Sequence, residues 1–122
     1  MTFSRNLLLF AALNGAMSVA VGAFGAHGVP PEAKVLLTTG GQYQMVHALM
    51  AAVLAIWPAA GRAGRVAGWL AASGGLIFCT TLLLIAVAGM RYMGAVTPVG
   101  GTLMIIGWLV LAWRAVRPSP VA

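Results

Sequence analysis

The twenty residues from Leu7 to Ala26 read LLLFAALNGAMSVAVGAFGA and hold no charged side chain. As a helix, at ~1.5 Å per residue, this run is roughly 30 Å long, the thickness of a bilayer's hydrocarbon core. Arg5 stands just before it, as in a secretory signal peptide. The run is longer than a signal core of ~7–15 residues, however, and the rest of the chain is equally apolar, so a first transmembrane helix is expected.

The same reading extends over all 122 residues. The chain is 61% hydrophobic and 7% charged, with mean hydropathy +0.99. Soluble domains carry about 25% charged residues, and a chain this short could not hide so much apolar surface from water. Further apolar runs fall at about 42–57, 66–89 and 99–113. They lack the alternation of barrel strands and exceed their length. The expectation is a single all-α domain, an integral membrane four-helix bundle.

The connections carry the punctuation. After His27 comes Gly28-Val29-Pro30-Pro31-Glu32-Ala33-Lys34. Proline suits a first helical turn, and Glu32 suits its positive end. A short interfacial helix over Pro31–Thr39 is expected, broken at Gly40-Gly41. The second span, counted from Gln42 to Trp57, is short. Either the bilayer thins there or Val35–Thr39 also enters it. Thr97-Pro98 reads as cap and first position of the fourth helix. The segment 114–122 is expected to be a cytoplasmic tail, disordered from Pro118.

Net charge is +6, with six Arg and one Lys against the single carboxylate Glu32. The cations stand singly or in pairs between apolar runs and form no basic face, so nucleic acid is not an expected partner. With four spans, Arg5, Arg62, Arg65, Arg114 and Arg117 share one side, and Lys34 and Arg91 the other. The positive-inside rule then places both termini in the cytoplasm. Trp57, Trp69 and Trp113 fall near that boundary and Tyr92 near the opposite one, as interfacial aromatics do. Cys79 is the lone cysteine, inside an apolar run, and is expected to be a buried, inert thiol.

Small and polar residues recur at helical spacing. Asn14, Ser18, Gly22 and Ala26 lie four apart on one face of the first helix. Gly64, Gly68 and Ala72, with Ala71 and Gly75 beside them, do the same on the third, and Gly100-Gly101 bares the fourth. Close helix packing is expected at Asn14, Ser18, Gly22, Gly68, Gly75, Gly100 and Gly101.

The chemistry-bearing residues concentrate at Gln42-Tyr43-Gln44-Met45-Val46-His47, at the presumed outer start of the second span. His27 closes the first span on that side. A polar cluster of His27, Tyr43, Gln44 and His47 is expected, with Arg91 and Thr97 reaching in. It would serve as a hydrogen-bond network fixing the helix ends, or as a pocket for a small ligand, lipid headgroup or quinone. Two histidines with one nearby acid fall short of the four ligands of a structural zinc site. No haem-attachment or zinc-protease motif, nucleophile–base–orienter set or phosphate loop occurs. No cofactor, metal or enzymatic activity is expected.

Gly22-Ala23-Phe24-Gly25-Ala26-His27, Tyr43-Gln44-Met45-Val46-His47-Ala48-Leu49, Gly68-Trp69, Thr97-Pro98-Val99-Gly100-Gly101 and Gly107-Trp108, in that order, resemble the YgdD/YwdK-like small inner-membrane proteins. The resemblance covers nearly the whole chain. It implies a bacterial inner-membrane protein with four spans and brings no established activity. The expectation is a non-enzymatic protein acting through contact with lipid, with further copies of itself or with a membrane-protein partner. Two alternatives stay open: a small oligomeric transporter or channel, and a redox accessory holding haem or quinone through His27 and His47.

Overall fold

The computed structural model describes residues 3–118, so the tail expected beyond Pro118 lies outside the described residues. Four long helices follow one another: α1 (Arg5–Ala26), α2 (Pro31–Ile56), α3 (Gly61–Ala88) and α4 (Thr97–Val116). Short 3-10 turns at Pro58–Ala60 and Arg91–Ala95 precede α3 and α4, and no strand occurs among the described residues. Three segments, Arg5–Ala26, Pro58–Ala88 and Arg91–Val116, are long and apolar enough to cross a membrane. The polar residues of α2 keep it out of that group.

α2 corrects the expectation of a short interfacial helix broken at Gly40-Gly41. It runs unbroken through both glycines for 26 residues, roughly 39 Å. The physical reason is that adjacent positions lie ~100° apart around a helix, so the two glycines serve two different neighbours. A Cβ on Gly40 would lie 3.3 Å from the Cys79 Cα on α3, and one on Gly41 would lie 3.2 Å from the Ser18 carbonyl oxygen on α1. Close approach on both sides offsets the cost of about 1 kcal/mol that each glycine carries in a helix. Val35–Thr39 thus belongs to the same helix as Gln42–Ile56.

Packing follows chain order. α1 lies on α2 and touches α3 more lightly, α2 lies on α3, and α3 on α4. The interior is built of small side chains. Leu7 and Ala11 meet Ala51, Ala55 and Ala72. Met50 and Leu54 meet Ala60, Ala67 and Ala71. Val21, Leu37 and Cys79 close the other end. Small residues let helix backbones approach, which is the main source of association where no water is expelled. The approach is closest between α3 and α4: a Cβ on Gly100 would sit 2.6 Å from the Phe78 nitrogen, and one on Gly74 2.6 Å from the Gly100 oxygen. Large apolar side chains point outward instead, among them Leu9, Leu49, Ile105 and Leu109. Such a surface suits lipid and not water.

The two ends of the molecule differ in charge. The Ser4 amide donates to the Ala55 oxygen at 2.7 Å, joining the start of α1 to the end of α2. Arg114 Nη2 donates to the Ala59 oxygen at 2.9 Å, joining the end of α4 to the same region. Arg5, Arg62, Arg65, Arg114 and Arg117 therefore gather at one end. His27, Glu32, Lys34 and Arg91 lie at the other.

Candidate functional site

The polar side chains of the interior form a belt halfway along the helices. Asn14 stands nine residues into α1, Gln44 thirteen into α2, and Trp108 eleven into α4. Asn14 is buried and its Nδ2 donates to the Phe10 oxygen at 3.0 Å. Its Oδ1 accepts from Gln44 Nε2 at 2.9 Å. This bond crosses from α1 to α2 at a side chain with 0% exposure. Gln44 Oε1 has no partner among the described residues. Ser18, one turn beyond Asn14, turns its hydroxyl back to the Gly15 oxygen at 2.7 Å.

His47 is the second centre, one turn past Gln44 and 5% exposed. Its Nδ1 lies 2.6 Å from the Tyr43 carbonyl oxygen, and its Nε2 lies 2.9 Å from the indole Nε1 of Trp108. A carbonyl can only accept and an indole N–H can only donate. The ring is therefore neutral with its proton on Nδ1, and both nitrogens are engaged. The Trp108 bond reaches from α4 past α3 to α2. The Tyr43 ring stacks on His47 at 6.4 Å between centroids and tilts against Phe78 at 5.1 Å. Gly75 makes room for this arrangement, since a Cβ there would lie 3.3 Å from the Gln44 Cα and 3.5 Å from the His47 Cβ.

The expected outer cluster is thus corrected. Tyr43 and His47 do lie against each other, with Gln44 turned to Asn14 instead, and all three stand halfway along α2 rather than at its start. His27 is exposed at the C-terminal cap of α1. His47 lies sixteen residues beyond Pro31, roughly 24 Å along α2. A helix starting at Gln42 would put His47 within two turns of its start, whereas α2 begins at Pro31. The two histidines cannot share a metal, haem or quinone, and no group of three His, Cys, Asp or Glu side chains converges among the described residues.

Arg91 and Thr97 also stand apart from His47. Thr97 is the first residue of α4 rather than its cap. Its hydroxyl donates to Thr81 Oγ1 at 2.8 Å, and Thr81 donates to the Phe78 oxygen at 3.0 Å, which ties α4 to α3. Arg91 instead lines a groove of about 350 Å³ with Glu32, between the start of α2 and the end of α3. Two further grooves open on the flanks of α2. One of about 370 Å³ lies against α1 beside Ser18, Gly22, Thr38 and Gln42, and one of about 290 Å³ is lined by Gln42, Tyr43, Val46 and His47.

Of the packing residues, Gly68, Gly75 and Gly100 face neighbouring helices. A Cβ on Gly68 would meet Leu7 and Leu54. Gly101 is corrected, since a Cβ on it meets nothing within 4 Å; Gly22 does stand at the α1–α2 contact, although a Cβ on it would also meet nothing within 4 Å. Gly22 lends its backbone to the contact with Gly41, but its own Cα–H points into the α1–α2 groove. The contacts missed from sequence are Trp108, Gly74 and Gly107. A Cβ on Gly107 would lie 3.0 Å from the Ala67 oxygen. The spacing of Gly100, Met104 and Gly107 on one face of α4 was the available signal.

Comparison with known proteins agrees with this architecture. Residues 21–101 match the family model described as a protein of unknown function (DUF423). The UPF0382 membrane protein YwdK of Bacillus subtilis is 35% identical over 117 residues, covering 90% of this chain and 95% of that protein. A UPF0382 membrane protein of Haemophilus influenzae is 41% identical over 119 residues, covering 90% and 93%. The UPF0382 inner membrane protein YgdD of Escherichia coli is 35% identical over 124 residues, covering 93% and 92%. No solved structure matches. With a helical chain aligned nearly end to end on these membrane proteins, this protein belongs to the DUF423 (UPF0382) family.

Proposed function

We propose that the chain is a four-span bacterial inner-membrane protein, with both termini in the cytoplasm, that works by contact within the membrane rather than by catalysis. Its contacts are with lipid and with a second copy of itself. The arginine-rich end supports the orientation by the positive-inside rule. The belt supports a structural use of the interior, since His47 Nε2 and Asn14 Oδ1 are spent on bonds between helices while His47 Nδ1 and Asn14 Nδ2 bond back to carbonyls of their own helices.

The observation that carries self-association is Gln42. It is exposed on α2, eleven residues past Pro31 and fourteen before Ile56. In a spanning helix that is the middle of the hydrocarbon. Lipid offers nothing to a primary amide, and an unsatisfied polar group there is costly. An amide both donates and accepts, so a two-fold axis beside α2 pairs Gln42 with its own copy. The small-residue groove at Ser18, Gly22 and Gly41 lets the partner's backbone come close.

The test is cross-linking of single cysteines in a Cys79→Ser background in native membranes. Gln42→Cys should form a covalent dimer and Leu109→Cys, on the exposed face of α4, should not. Gln42→Leu should weaken dimerisation by roughly three- to thirtyfold, the range of ~0.6–2 kcal/mol for such bonds. A monomer at all protein-to-lipid ratios, or equal cross-linking at both positions, refutes self-association through this face.

A further inference from the structure

The groove at the opposite end from the arginines is built differently from the two beside α2. Its walls are Ala33 and Leu36 from α2 and Ile85 and Ala86 from α3. Its rim holds Glu32 and Arg91. Glu32 is the only acidic side chain in the chain. Both charges line one groove, yet among the described residues no carboxylate–cation pair closes to 4.0 Å. A rim with a negative and a positive group held apart, over an apolar floor of about 350 Å³, matches a molecule that is zwitterionic at one end and apolar at the other.

We infer that this groove binds a phospholipid with a primary ammonium headgroup, of the phosphatidylethanolamine type. The inference rests on the four-span reading, which puts Pro30, Glu32 and Arg91 at headgroup level. Glu32 accepts hydrogen bonds from the ammonium. Arg91 donates to the phosphate, whose oxygens suit a guanidinium fork. The first part of an acyl chain lies along Leu36, Ile85 and Ala86. An anionic lipid satisfies Arg91 but leaves Glu32 facing no cation. A trimethylammonium headgroup has the charge but no N–H to donate. Charge complementarity on both sides of the groove therefore selects the primary ammonium.

The full chain is reconstituted in mixed vesicles of phosphatidylethanolamine, phosphatidylglycerol and phosphatidylcholine, and the lipid retained is weighed by native mass spectrometry. Retained phosphatidylethanolamine should exceed each of the others on the order of tenfold, the factor one charge-assisted hydrogen bond supplies. Glu32→Gln should erase that preference and Arg91→Gln should lower retention of all three. Both residues lie at helix ends, and an unchanged melting temperature in detergent shows that the variants are folded. Equal retention by the parent chain, or a preference that survives Glu32→Gln, overturns the inference while leaving the four-span reading intact. Failure of the chain to insert into vesicles at all overturns both.

Discussion

Gly100 and Gly101 are neighbours on α4, and replacing each by alanine should have opposite effects. On Gly100 the new methyl would lie 2.6 Å from the Phe78 nitrogen and 2.7 Å from the Gly74 oxygen. Both are backbone atoms and cannot rotate away. Ordinary contact begins at 3.4 Å, so α3 and α4 must part locally by about 0.8 Å, enough to forfeit a quarter to a half of the dispersion well at each contact. Overpacking of this kind costs typically 1–3 kcal/mol. On Gly101 nothing lies within 4 Å of the added Cβ, and the exchange gains up to about 1 kcal/mol of helix propensity. The propensity gain is common to both variants, so their difference isolates the steric cost at about 1–3 kcal/mol. Reversible unfolding by sodium dodecyl sulfate in mixed micelles measures it. Gly74→Ala shares the same contact, so its cost and that of Gly100→Ala should be less than additive. Equal stability of Gly100→Ala and Gly101→Ala, to within about 0.5 kcal/mol, would refute the close approach of α3 and α4.

Other consequences follow from the belt and the packed thiol. Asn14→Leu or Gln44→Met alone leaves a buried partner unpaired, so the double variant should be more stable than additivity allows, by about 0.6–1.7 kcal/mol in a double-mutant cycle; strict additivity would mean the two amides do not bond. Trp108→Phe leaves His47 Nε2 without a donor while the Tyr43 oxygen still holds the proton on Nδ1, so the Nε2 resonance should shift and the Nδ1–H signal persist; an unchanged Nε2 resonance would place the indole elsewhere. Cys79 is 0% exposed and packed against Gly40, so N-ethylmaleimide should label it only after denaturation, and rapid labelling of the folded protein would contradict the α2–α3 contact.

The sequence was legible where hydropathy alone decides, at the helical class and the rough positions of α1, α3 and α4, although α3 begins five residues before the expected run and α4 ends three after it. α2 was misread because two consecutive glycines have low helix propensity and read as a break. Nothing in a single sequence shows that each will be pressed against a different helix. A start at Gln42 instead of Pro31 shifts the helix by eleven residues and sets His47 near its outer end beside His27, instead of halfway along α2. The glycine stripes were visible as spacing, but which side of a glycine faces a neighbour depends on helix rotation. Gly22 and Gly75 look alike in sequence, yet only Gly75 has no room for a side chain. Trp108 read as a marker of resemblance rather than as the partner of His47, sixty-one residues away, because no periodicity links α2 to α4.

Everything proposed rests on α2 crossing the membrane with the other three helices, with the arginine-rich end inside. Single cysteines at Lys34→Cys, Arg62→Cys, Arg91→Cys and Arg117→Cys, in a Cys79→Ser background, test this in intact spheroplasts with a thiol reagent that does not cross membranes. Positions 34 and 91 should be labelled from outside, and positions 62 and 117 only after the membrane is opened. Labelling of position 62 together with 91 from the outside, or of positions 34 and 91 from opposite sides, would contradict it.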